Sequence, residues 1–102
     1  MTRITMRNSV FWLLCLVSPM TLATDDYTIE LYDLYCTSCH AIDASGAPQA
    51  FTDEWEDVLD KGMAETVNNA IAGVGNMPAM GTCNECTPED IEALVRYMAT
   101  EK

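Results

Sequence analysis

The sequence predicts an all-α domain. Apolar residues recur at helical spacing in four stretches, two of which are followed by glycine, and alternating strand-like patterns are absent. The chain has 102 residues, of which 49% are hydrophobic and 21% charged, as expected for one small folded domain. Because so short a domain buries only a thin core, it is expected to depend on a disulfide, a metal or a cofactor.

The first 23 residues are predicted to be a secretory signal peptide. Arg3 and Arg7 precede an apolar run over residues 10–17, shorter than the roughly 18 residues that a membrane-spanning helix needs. Small residues, Thr21 and Ala23, precede the expected cleavage point after Ala23. We therefore expect residues 24–102 to form the exported domain, without a membrane span. An uncleaved anchor is the alternative.

Cleavage after Ala23 would leave a strongly acidic domain. The full chain has 5 Lys+Arg and 16 Asp+Glu, and residues 1–23 contain two arginines and no acid. The domain therefore keeps three basic groups against 16 acidic ones, a formal net charge of −13. This charge argues against nucleic acid and anionic membranes as partners and leaves a basic protein partner open.

The first two predicted helices flank a loop over residues 45–48. The first starts near Asp25 and Asp26, which suit its positive end, and runs into Cys36. Its expected apolar face comprises Tyr27, Leu31, Leu34 and Tyr35. The second opens at Thr52 and can be closed by Gly62. Its expected apolar face comprises Trp55, Val58 and Leu59.

The third predicted helix follows a glycine, and the fourth begins at a capping motif. The third covers residues 63–72 and ends at Gly73, with an apolar face of Met63, Val67, Ala70 and Ile71. The fourth has the strongest start signal, Thr87-Pro88-Glu89-Asp90, which combines a capping hydroxyl, an N-terminal proline and an acid. Its expected buried face is Ile91, Leu94, Val95 and Met98.

The motif Cys36-x-x-Cys39-His40 indicates covalent attachment of a c-type haem. Two thiols one helical turn apart can reach the two vinyl groups on one porphyrin edge. The adjoining imidazole can then reach the iron. We therefore predict one haem c, bound through Cys36 and Cys39, with His40 as an axial ligand.

A methionine is expected to supply the second axial ligand. Met77 lies in a glycine-flanked loop, and Pro78 restricts its backbone to extended conformations. Met80 is the alternative, whereas Met63 fits a helix face. Two filled axial positions predict one-electron transfer rather than enzymatic turnover. An open position would instead predict a protein that binds gases or peroxide.

A structural zinc site is the principal alternative from another class. Cys36, Cys39, Cys83 and Cys86 could together form a tetrahedral thiolate cage. The two pairs are much farther apart than in the usual zinc ribbon, and this hypothesis gives no role to His40 or the Met77 loop.

The motifs together resemble a known family. They are Tyr32 and Tyr35 before the haem motif, Gly46-Ala47-Pro48 after it, Met77-Pro78-x-x-Gly81-Thr82-Cys83-x-x-Cys86, and Ala93-x-x-x-Tyr97-Met98. This set is similar to the small bacterial class I cytochromes c, specifically the cytochrome c-five subgroup. The resemblance covers nearly all of residues 24–102 and implies a cytochrome c-like fold of about four short helices around the haem.

The resemblance also implies roles for individual residues. The Pro48 carbonyl would accept the N–H of the proximal imidazole. Trp55 would pack beside the haem and could donate to a propionate, the alternative being a plain core residue. Cys83 and Cys86 would form a disulfide bracing the methionine loop against the last helix, with a redox-active dithiol as the competing interpretation.

Two residues depart from the family pattern. Thr28 stands where family members often have glycine at the crossing of the first and last helices, and Met80 stands where lysine or a polar residue is expected. The first departure leaves the closeness of the crossing open. The second leaves open whether Met80 replaces Met77 as the axial ligand.

The predicted function is that of a periplasmic electron carrier of a respiratory chain. We expect a monomer that exchanges electrons with redox proteins. The acidic surface predicts a reductase or terminal oxidase with a basic docking face. The alternative is that the acidity serves only solubility.

Overall fold

The computed structural model of the protein describes residues 24–101, so the predicted signal peptide lies outside the described residues. No β-strand occurs in this part of the chain, and the predicted all-α class is confirmed. The α-helices are α1 (Asp26–Leu31), α2 (Thr37–His40), α3 (Glu54–Leu59), α4 (Met63–Ala72) and α5 (Pro88–Met98). Short 3-10 helices at Asp43–Ser45 and Ala79–Thr82 lie in the loops.

The first helical segment is longer than predicted. It starts where the Asp25 carboxylate accepts the Thr28 N–H at 3.1 Å, and it continues through a π-helical turn, Tyr32–Cys36, into α2. The haem motif therefore lies on the end of a helix, with His40 as the last residue of α2. The π-turn adds one residue just before the motif, a distortion often found beside functional sites.

The buried face of this segment differs from the predicted face. Tyr27 and Leu34 are 48% and 63% exposed, whereas Leu31 and Tyr32 are buried. The Tyr32 ring makes edge contacts with Phe51 and Tyr97, at centroid distances of 5.6 and 5.3 Å. Helical spacing alone did not distinguish two neighbouring stripes that share Leu31, and packing of Tyr32 against these two rings selects one of them.

Thr28 is accommodated where α1 packs against α5. Its side chain is buried, and its hydroxyl donates to the Asp25 carboxylate at 2.9 Å. The polar atom that replaces the family's glycine is therefore satisfied within its own helix. The helices still pack against each other.

The two central helices form close to where they were predicted. The Thr52 hydroxyl accepts the Glu54 N–H at 3.3 Å as α3 begins, and Trp55 is buried at 4% exposure. α4 spans the predicted residues and lies between Gly62 and Gly73, whose φ values are +102° and +93°. Because these angles favour glycine, the two residues fix both ends of α4.

The final helix follows its start signal. The Thr87 hydroxyl accepts the Asp90 N–H at 3.1 Å, and the Asp90 carboxylate accepts the Thr87 N–H at 2.9 Å, so the capping box is complete. All four residues of its predicted apolar face are buried. α5 packs against both α1 and α4, and the core lies where these three helices meet.

Within residues 24–101, no helix combines the length and the apolar character needed to cross a bilayer.

Candidate functional site

A cavity of about 420 Å³ lies between α2, the loop over residues 45–48, the α3–α4 pair and the loop over residues 74–82. Its size falls in the range of sites that bind cofactors and other small molecules. Six residues singled out from the sequence line it: Cys36, Cys39, His40, Pro48, Trp55 and Met77. The fold therefore brings into one cavity residues that are up to 41 positions apart in the chain.

His40 is held in a defined orientation at the end of α2. Its imidazole is 8% exposed, and Nδ1 lies 2.8 Å from the Pro48 carbonyl oxygen. Because a carbonyl can only accept, Nδ1 is the donor in this contact, and in the neutral ring this places the lone pair on Nε2. Such a neutral imidazole, fixed through its other nitrogen, is suited to ligate a metal.

The two cysteines before His40 are free thiols in the wall of the cavity. Cys36 is half-buried and Cys39 is exposed. Burial raises the pKa of the Cys36 thiol to about 11, with a smaller contribution from Cys39. At neutral pH Cys36 is therefore a protonated thiol. Both sulfurs are available for covalent attachment of a ligand within the cavity.

Trp55 packs beside His40 instead of offering its N–H to the cavity. The two ring centroids are 5.7 Å apart, and the indole Nε1–H donates to the Gln49 carbonyl at 3.0 Å. Because this donor is occupied within the protein, the structure does not support a hydrogen bond from Trp55 to a propionate. Of the two alternatives for Trp55, the structure favours packing.

The loop after α4 presents Met77 to the cavity. Met77 and Val74 exchange backbone hydrogen bonds of 2.8 and 3.1 Å, which closes a tight turn, and Pro78 is extended. The Met77 methyl lies so close to Gly81 that a Cβ there would meet it at 3.3 Å. Met80 has a φ of +60°, packs against the core and does not line the cavity.

Gly73 lets this loop pass close to the end of α4. A Cβ on Gly73 would meet the Ala79 backbone nitrogen at 3.1 Å and the Met77 carbonyl oxygen at 3.2 Å. Both neighbours are backbone atoms, which cannot rotate away as a side chain can. The position of the Met77 loop therefore depends on the absence of a side chain at residue 73.

Substituting Gly73 with alanine is expected to destabilise the protein more than the matched change at Gly62. The two glycines have similar backbone angles, so each variant should lose about 1–3 kcal/mol to backbone strain. Gly73→Ala should lose about 1–3 kcal/mol more from overpacking, because Gly62 has open space where the Cβ would stand. Denaturant unfolding of both variants measures the difference, and equal losses would contradict the steric argument.

Cys83 and Cys86 lie outside the cavity lining, in the loop just before α5. Both are buried, and the structure joins their sulfurs to each other, with the Cα atoms 5.5 Å apart. The Cys83 N–H donates to the Met80 carbonyl at 3.0 Å, which ties this pair to the methionine loop.

The segment between Cys83 and Cys86 is also linked to the first helical segment. The Tyr35 hydroxyl donates to the Glu85 carboxylate at 2.5 Å. This bond raises the pKa of Tyr35, with smaller contributions from desolvation and from the Glu85 charge. Glu85 therefore holds the residue directly before Cys36.

The four-cysteine zinc hypothesis is not supported by the structure. No group of three or more His, Cys, Asp or Glu side chains among residues 24–101 is arranged to hold a metal ion. Cys36 and Cys39 line the cavity, whereas Cys83 and Cys86 are paired with each other and do not line it. The two pairs therefore do not form a common cage.

Gln49 is a supporting residue that the sequence analysis missed. Its side-chain amide donates towards the Cys39, Ile42 and Ala47 carbonyls at 3.0–3.2 Å. The backbone carbonyl of Gln49 accepts hydrogen bonds from the Thr52 hydroxyl and the Trp55 indole N–H. These bonds hold the loop that carries Pro48. No periodicity or motif marks such a residue, because its partners are backbone groups and it belongs to no apolar face.

Comparisons with known proteins show what this chain is similar to. Over residues 29–98 the chain matches the protein family described as cytochrome C oxidase, cbb3-type, subunit III. Cytochrome c5 from Ectopseudomonas mendocina is 29% identical over 68 residues, which is 64% of this chain and 78% of that relative. A chain in the crystal structure of an electron transfer complex of nitrite reductase with cytochrome c matches with a TM-score of 0.67 and 27% identity. That match covers 76% of this chain and 95% of the other.

Proposed function

The chain belongs to the cbb3-type cytochrome c oxidase subunit III family of c-type cytochromes, and we propose that it is a periplasmic carrier with one haem ligated by His40 and Met77. As a c-type cytochrome it is an electron carrier with covalent haem. The observation that carries the proposal is the single cavity that has His40, Met77 and two free thiols in its walls.

We propose that Cys36 and Cys39, not Cys83 and Cys86, attach the haem. The first pair is unpaired, lines the cavity and is followed by His40. The second pair is buried, lies outside the cavity lining and is followed by Thr87. We propose that Cys83 and Cys86 form a disulfide in the exported protein, which would brace the methionine loop. No strand precedes Cys83 within residues 24–82, which argues against a thioredoxin-type dithiol.

The axial ligands are assigned from the orientation of the side chains that line the cavity. The Pro48 carbonyl holds His40 Nδ1, which leaves Nε2 for the iron. The turn closed by Val74 and the contact with Gly81 support Met77 as the opposite ligand, and the position of Met80 outside the cavity lining argues against a swap. The Met77 assignment also argues against an open position for gases or peroxide.

When bound, the haem supplies a one-electron ferric–ferrous couple. A thioether opposite an imidazole favours the reduced form, and apolar walls favour it further. Trp55, Val95 and Met98 provide such walls beside the site. With both axial positions filled by side chains, the protein is expected to exchange electrons and to transform no small substrate.

An absorption spectrum and an intact mass test the proposal together. The reduced protein should show a sharp α-band that survives extraction with acidified acetone, and the oxidised protein should show a weak near-infrared band from sulfur ligation. The mass should equal that of residues 24–102 plus one haem, less two hydrogens for the disulfide. A colourless product with the mass of the bare polypeptide would refute the proposal.

The proposed partner is a redox protein with a basic docking face. All 16 acidic residues lie within residues 24–101, against the two basic residues Lys61 and Arg96 in the same range. Such a surface should attract a positively charged reductase or terminal oxidase over distances of about a Debye length. The related cytochrome in the complex with nitrite reductase is consistent with a protein partner for a chain of this fold. We propose that the carrier acts as an exported monomer.

Electron transfer with a natural partner should slow as ionic strength rises. If the acidic surface steers the encounter, the second-order rate constant should fall at least about tenfold between low salt and physiological salt. Stopped-flow measurements provide this rate, with a small uncharged reductant as the control that should be insensitive to salt. A flat or rising rate with the partner would remove the steering hypothesis and leave solubility as the role of the acids.

A further inference from the structure

The cavity is lined by one charged side chain, that of Lys61, apart from the titratable His40. None of the 16 carboxylates lines it, although all of them belong to residues 24–101. The cavity lining therefore contains a basic residue and no acidic one, although acidic residues outnumber basic residues in this chain. This distribution indicates that the cavity receives a group for which a positive charge is useful.

The backbone that carries Lys61 is fixed. Lys61 lies between α3 and α4, where the Gly62 N–H donates to the Leu59 carbonyl at 2.9 Å. The Thr66 hydroxyl lies within hydrogen-bonding distance of two further carbonyls of this connection, those of Val58 at 3.2 Å and Gly62 at 2.9 Å. The Lys61 backbone is thereby held at one corner of the cavity, and its exposed side chain is among the residues that line the cavity.

Lys61 has no ion-pair partner within the described part of the chain. The ion pair there is Arg96–Glu92 on α5, with a nitrogen–oxygen distance of 2.6 Å. Asp57 and Asp60 on the neighbouring helical turn do not line the cavity. The Lys61 ammonium is therefore available to an anionic group bound within the cavity.

Other polar groups near Lys61 leave few alternative donors. The Trp55 N–H and the Thr66 hydroxyl already donate to backbone carbonyls. Asn69, half-buried one turn after Thr66 on α4, lines the same wall and can add a neutral amide donor. A carboxylate placed at this corner would thus lie near one cation, Lys61, and one amide, Asn69. No Asp or Glu of the protein lines the cavity to repel it.

Resting on the haem assignment proposed above, we infer that Lys61 pairs with a propionate carboxylate of the haem and raises the reduction potential. The propionates would add negative charge to an already acidic protein, and this charge favours the ferric state. A cation beside a propionate offsets that charge and favours the ferrous state. Lys61 is thus a positioning residue for the cofactor and not a ligand of the iron.

The test compares the potentials of three holoprotein variants, each first shown by intact mass to carry covalent haem. Lys61→Gln should lower the equilibrium constant for reduction by about three- to tenfold, where tenfold corresponds to about 59 mV for one electron. Lys61→Arg, which keeps the positive charge, should retain the wild-type potential. Arg96→Gln removes the same charge from an ion pair outside the cavity and should shift the constant by less than about twofold.

Proton NMR of the reduced holoprotein provides a second readout. Nuclear Overhauser contacts are expected between the Lys61 side-chain methylenes and the methylenes of one haem propionate. The inference is overturned if these contacts are absent, or if Lys61→Gln shifts the potential no more than Arg96→Gln. Failure to attach haem in the wild-type protein would instead refute the function proposed above, so the two failures are distinguishable.

Discussion

Replacing both Cys36 and Cys39 with alanine is expected to abolish covalent haem. No acid-resistant absorption should remain, and the intact mass should be that of the polypeptide. The variant should also be largely unfolded, because the haem completes the core. At about 24 cal/mol per Å³, an empty site of this size would cost at most about 10 kcal/mol, since the cavity is partly open to solvent, and even half of that is a large share of the stability of a small domain.

The matched control is the double variant Cys83→Ala with Cys86→Ala. It removes the other C-x-x-C pair, which lies outside the cavity lining, and should keep its haem and its α-band. Its unfolding free energy should fall by about 2–4 kcal/mol if the disulfide is present. The opposite pattern, with haem lost from a folded Cys83/Cys86 variant and retained in the Cys36/Cys39 variant, would reverse the assignment of the two motifs.

Met77→Ala is expected to remove the sulfur ligand and open one face of the haem. The near-infrared band of the oxidised protein should disappear, and the reduced protein should bind carbon monoxide, which the wild type should exclude. The potential should fall substantially, because a thioether that favours ferrous iron is lost. Spectra recorded with and without carbon monoxide, together with a redox titration, measure these changes.

Met80→Ala is the control for this substitution. Met80 packs against the core and does not line the cavity, so its loss should lower stability by about 2–3 kcal/mol, at the lower end of the range for truncating a methionine, while the near-infrared band persists. A Met80 variant without that band, beside a Met77 variant that retains it, would exchange the roles of the two residues.

The contrast between these two methionines indicates what sequence reasoning could resolve. Pro78 favoured Met77 on local grounds, but both residues occupy the same glycine-containing loop. The distinction also rests on Val74 and Gly81, which contact Met77 across the folded loop. Likewise, the haem motif in the sequence marked Cys36, Cys39 and His40. The sequence suggested the contact of Pro48 with the imidazole only through the family resemblance, and the structure contains that contact.

The sequence by itself determined the all-α class, the extent of α4, the cap and buried face of α5, and the C-x-x-C-H motif. Each of these depends on residues within one or two helical turns, so spacing along the chain is sufficient to detect it. Tertiary structure alone decided the buried stripe of the first helical segment, the contacts of Trp55 with His40 and Gln49, the separation of the two cysteine pairs and the placement of Lys61 at the cavity. These features depend on which distant residues meet, because packing and electrostatics act through space and leave no periodic signal in the chain.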